Sequence, residues 1–87
     1  MRDALGILET TGLTPAMVAL DTMEKSGAIR VLQAEINDLL GVCIKVLGAT
    51  AAVEAAIQAG REIAEQMGGR PIADILHHPD REAWKAI

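Results

Sequence analysis

The amino-acid sequence predicts an α/β protein of the α+β kind: an antiparallel four-stranded sheet covered by two helices in βαββαβ order, with a short C-terminal helix. Three observations lead there. Apolar residues switch between strand-like and helix-like spacing in that order. Gly and Pro fall at the switches. At 87 residues the chain suffices for one modest core, so residues 1–87 read as a single domain.

The first element, Ala4-Leu5-Gly6-Ile7-Leu8-Glu9-Thr10, reads as a strand closed by the turn Thr11-Gly12. Thr14 then offers a hydroxyl to cap a helix, and Pro15 suits its first position, where the missing N–H has no intrahelical partner. Met17, Leu20 and Met23 recur every three residues as the expected inner face, with Asp21 and Lys25 four apart on the surface and Ser26-Gly27 as the stop. Ile29, Val31 and Leu32 open a second strand that runs to Glu35 or Ile36, and Asn37-Asp38 begins a connection ended by Gly41. Val42, Ile44 and Val46 alternate with Cys43 and Lys45, the clearest strand signal present, and Gly48 is expected to end that strand. Thr50 starts a long helix whose apolar line is Val53, Ile57, Ile63 and Met67. Ala56, Gly60 and Ala64 on it favour close packing over a roomy cavity, and Gly68-Gly69 ends it. A last strand covers 71–76, and after His77-His78-Pro79 the tail 80–87 suits two helical turns.

Composition narrows the function. Eight Lys and Arg against twelve Asp and Glu give a formal net charge of -4, and the basic residues are scattered singly, which disfavours nucleic acid as a partner. Glu35, Asp38 and Lys45 interrupt the longest apolar stretch, so no membrane span is expected, and no signal-peptide pattern opens the chain. The single cysteine suits a reducing, cytosolic setting. With no Phe or Tyr and only Trp84 as an aromatic residue, the core must be built from aliphatic side chains and Met. A small domain so built leaves apolar surface for a partner, and a further copy of itself is the natural one.

Groupings that would carry chemistry are mostly absent. His77 and His78 lack converging ligands, because adjacent residues at a strand end point apart, and no metal or cofactor is expected. Cys43 has neither a nearby histidine nor a CxxC partner and reads as an inert packed thiol. Glu9, Glu35, Asp38 and Asp74 form no dyad that spacing alone can establish, and Asp74 is expected to reach solvent or a base. The glycines match neither GxGxxG nor GxxxxGK[ST]. No catalytic residue is assigned.

The opening strand, Gly12-Leu13-Thr14, Asp21-Thr22-Met23-Glu24-Lys25-Ser26, Gly48 and the Ala-rich helix through Ala59-Gly60 together resemble the single-domain shell proteins of bacterial microcompartments, over residues 4–79. The resemblance implies a cytoplasmic, non-enzymatic homohexamer that tiles with other shell proteins around encapsulated enzymes. It places Lys25 at the hexamer edge and the loop Asn37, Asp38, Leu39, Leu40 and Gly41 around a central pore. Two departures stand out. The family usually carries Pro-Arg-Pro where this chain has His77-His78-Pro79, so His78 takes the place of an arginine that helps join neighbouring hexamers, without its fixed fork of donors. The family's pore loop is generally Gly-rich, whereas Leu39, Leu40 and Asp38 here imply a closed or restricted pore. The alternative from another class is a small ferredoxin-like regulatory domain, which would need a polar effector pocket between subunits.

Overall fold

The computed structural model describes residues 3–37 and 41–77. Strand β1 (Asp3–Thr11) leads into helix α1 (Leu13–Lys25), followed by β2 (Ile29–Ile36), β3 (Gly41–Ala49), helix α2 (Thr50–Gln66) and β4 (Ile72–His77). The strands lie in the order β2-β3-β1-β4, every neighbouring pair antiparallel, so that β2 and β4 form opposite edges. The βαββαβ order and antiparallel sheet are as predicted. The expected tail helix at 80–87 lies outside the described residues.

Both helices cover one face of the sheet. Ala4, Leu8, Val42, Ile44 and Val46 point into a core completed by Ala16, Ala19, Met23, Val53, Ala56, Ile57 and Ala64. Glycine lets α2 lie this low. A Cβ on Gly60 would stand 2.5 Å from Met23 Sδ, and one on Gly6 would stand 2.7 Å from Ile57 Cγ1, distances real side chains do not adopt.

Several boundaries move from their sequence-predicted places. Helix α1 begins at Leu13 with Gly12 as its cap, at φ 92°, and no side chain caps it. Thr14 and Pro15 therefore sit inside the first turn, where the proline's missing N–H still costs no intrahelical bond. The inner face of α1 is Ala16, Ala19 and Met23, whereas Met17 is 62% exposed. Alanines occupy the inner line because α1 packs closely on α2, and the bulkier Met17 is left at the rim. Met67 likewise falls beyond α2 as its C-cap and is exposed. Gly48 does not end β3; it pairs with Ala4 and Ile29, and a side chain there would press on the Ala28 carbonyl.

The end of α2 follows a well-defined chemistry. Gly68, at φ 78°, donates its N–H to the Glu65 carbonyl, and the Gly69 N–H reaches the Ala64 carbonyl at 2.8 Å. These two bonds satisfy carbonyls that a helix end leaves orphaned. The Gly69 carbonyl in turn accepts from the Thr10 hydroxyl at 2.9 Å and from the Thr11 N–H at 2.7 Å, tying the turn to β1. Strand β2 carries a bulge. Val31 pairs with Val46 but Gln33 with Lys45, which leaves Leu32 as the extra residue and switches the helix-facing set from Ile29 and Val31 to Ala34 and Ile36.

Candidate functional site

The loop between β2 and β3 is pinched at its base. The Asn37 N–H donates to the Gly41 carbonyl at 2.8 Å, and the Gly41 N–H donates to Asn37 Oδ1 at 2.9 Å. A Cβ at Gly41 would stand 2.7 Å from Asn37 Nδ2, so a side chain there would push that amide aside. The pair therefore fixes where the loop leaves the sheet. Asp38, Leu39 and Leu40, the rest of the loop singled out by sequence, lie outside the described residues, as does His78.

Lys25 ends α1 at a surface corner. Its ammonium lies 2.9 Å from Asp21 Oδ2, one turn back, with the two side chains 76% and 62% exposed. The hydrogen bond and charge of Asp21 hold the Lys25 pKa above the usual lysine value. The i, i+4 pair predicted from spacing is thus present, and it aims a permanent cation outward near the negative end of the helix dipole. Ser26 closes the helix behind it, donating from its hydroxyl to the Met23 carbonyl at 2.8 Å.

The sheet face away from the helices is polar at its centre. Cys43 stands in register between Glu9 on β1 and Glu35 on β2, and Lys45, next along, donates to Gln33 Oε1 at 3.2 Å. Burial pushes the Cys43 thiol up, Lys45 opposes that, and Glu9 and Glu35 add to it. Such a thiol is protonated at neutral pH and a poor nucleophile. Asp74, as expected, is exposed, and its carboxylate accepts from the Ile75 N–H at 2.8 Å. Among the described residues, no three His, Cys, Asp or Glu side chains gather to hold a metal ion, and no helix is long and apolar enough to cross a membrane.

What the sequence did not foresee lies along the edges. Beside β2, Leu13, Met17, Leu20, Ile36 and Val42 line an open apolar groove of about 200 Å³. Beside β4, Glu54, Gln58, Arg61 and Glu62 flank a shallow polar trough floored by Ile57 and Ile75. Both are open to solvent. The missed signal is Met17, whose three-residue period reads equally as core or rim.

Two open edges, a cation at a corner and a pinched hairpin are the features the described residues present at the surface. The sequence matches the BMC domain model over residues 4–76. It is 40% identical over 85 residues to the carboxysome shell protein CsoS1 of Prochlorococcus marinus, covering 97% of this chain and 82% of the relative. It is also 40% identical over 80 residues to the carboxysome shell protein CsoS1A of Hydrogenovibrio crunogenus, covering 91% and 83%. Among solved structures, a microcompartment protein from Desulfitobacterium hafniense DCB superposes with a TM-score of 0.84 at 21% identity, over 94% of this chain and 44% of that one, a likeness of fold. The chain belongs to the BMC-domain family and is a non-catalytic structural component of a bacterial microcompartment shell.

Proposed function

We propose that six copies of this chain close a ring around the 37–41 loop, and that rings tile edge to edge through Lys25 and His78, with other shell proteins, around encapsulated enzymes. The observation that carries this reading is the 40% identity to CsoS1 extending over 97% of the chain. The pinched base formed by Asn37 and Gly41 supports a defined loop at the ring centre. The exposed Lys25 at the end of α1 supports a contact between rings. His78 makes that contact weaker than an arginine would, because imidazole lacks a planar fork of donors.

In this reading the pore is restricted. Burying a leucine side chain is worth about 1.5–3 kcal/mol, so copies of Leu39 and Leu40 at a sixfold axis favour meeting one another over lining water. Copies of Asp38 in one narrow ring repel, so they fan toward one mouth. Native mass spectrometry at micromolar protein, followed by electron microscopy, tests the assembly: a six-subunit species and flat hexagonal sheets are expected. A monomer persisting across several mild buffers would overturn it.

A further inference from the structure

The trough beside β4 is built from one face of α2. Glu54, Gln58, Arg61, Glu62 and Glu65 fall at helical spacing, so three carboxylates and one guanidinium stand over a floor of Ile57 and Ile75. That floor is only partly covered. Ile75 packs against the core yet stays half-buried, and the open volume above it is about 460 Å³. We propose that this chain's own residues 80–87, which lie outside the described residues, fill the trough as a short helix with Trp84 seated on Ile57 and Ile75. The assignment does not depend on the ring reading above.

Place, length, pattern and charge select this occupant. His77 pairs with Ala4, and Asp3 pairs with Ala49 next to the start of α2, so β4 ends at the Glu54 end of the trough, two residues past Ile75. From Glu54 to Glu65 the wall runs about 16 Å, and eight helical residues cover about 12 Å, which leaves His78-Pro79 to reverse the chain. In a helix Ala83, Trp84 and Ile87 share one face, and Arg81 and Lys85, four apart, flank Trp84 on one side. Trp84 is the only aromatic residue of the chain and offers a large apolar surface to the two isoleucines. The wall's three acids outnumber Arg61 and so attract Arg81 and Lys85. Asp80 falls in the first turn, where an acid is favoured, and Glu82 falls on the side opposite Trp84. The two-residue connection also gives the chain's own trough a far higher effective concentration of this segment than a neighbour's.

Because Trp84 is the sole tryptophan, its fluorescence reads this one site in the full chain. In the folded parent the emission should be blue-shifted from that of the denatured chain and should resist quenching by acrylamide. Glu54→Lys with Glu62→Lys, both at exposed positions, turns two attractions into repulsions and should move the ratio of docked to free segment toward free by about tenfold. A red shift and stronger quenching report that change. Adding Arg81→Glu and Lys85→Glu should restore protection. Ile75→Ala, which opens the floor, should give the same red shift, with circular dichroism reporting the fold of every variant. Refolding the wall-reversed chain with an excess of Trp84→Phe chain, whose trough is intact, tests where the segment docks. Quenching should stay strong; restored protection would put the segment on a second copy and overturn the assignment. So would a parent Trp84 as quenchable as in denaturant, or one whose protection survives both the wall reversal and Ile75→Ala. Native mass spectrometry on the same samples separates the two readings: a monomeric parent with protected Trp84 overturns the ring alone, and a hexamer with exposed Trp84 overturns the docked segment alone.

Discussion

At the scale of single residues, the exposed and the half-buried groups divide their roles. Lys25 touches Asp21 and solvent, whereas the inner face of α1 is carried by Ala16, Ala19 and Met23. Lys25→Ala should therefore shift the melting midpoint by no more than about 3 °C, as exposed substitutions do in a domain this size, while shrinking or abolishing sheets seen by electron microscopy. Loss of folding with normal tiling of the surviving molecules would reverse that division. Cys43 offers a pH test. Burial raises its pKa, so the folded chain holds the thiol proton to a higher pH than the unfolded chain does. Stability should thus be unaffected below about pH 8.5, where an ordinary cysteine titrates, and fall as pH rises above it. Cys43→Ala should flatten that alkaline limb in denaturant titrations. The inert character of this thiol was legible from its lack of partners in sequence; its setting between Glu9 and Glu35 was not, because that depends on strand register.

Secondary-structure elements show where sequence patterns speak clearly and where they blur. The alternation of Val42, Ile44 and Val46 placed β3 correctly, since a strand in the middle of the sheet buries every second residue on one face. β2 gave no such alternation, and the bulge at Leu32 explains why: one extra residue exchanges the faces midway. The small residues of α2 were read as permitting close packing, and Gly60 and Gly6 do so from opposite sides of the α2 interface. Gly60→Ala isolates that effect. Helix propensity alone would gain up to about 1 kcal/mol, but the new methyl meets Met23 Sδ and Cγ, both on a fully buried side chain. Overpacking of this sort costs about 1–3 kcal/mol, so the net change should be destabilising. Chemical denaturation with an unchanged m-value would measure it, and a gain in stability would mean that Met23 has room to move.

For the whole molecule, the sequence already indicated association, because an aliphatic domain of 87 residues cannot hide all its apolar surface, but only the folded sheet sorts the remainder into two edges. The same geometry multiplies each choice in the hairpin loop. Asn37 and Gly41 hold the loop by reciprocal bonds, so a change at Leu39 and Leu40 leaves its anchor intact. In the proposed ring the double substitution Leu39→Gly and Leu40→Ser removes every leucine from the centre at once, without touching either subunit edge. Hexamer yield should stay the same, while passage of small anions and neutral solutes across assembled shells should rise. Comparing release of an encapsulated dye from parent and variant shells checks this, with shells of equal size used to separate pore flux from leakage at seams. Equal release from both would mean that the leucines do not close the axis and that solutes cross through another shell component. A fall in hexamer yield instead would show that the leucines hold the ring together and would assign them to assembly.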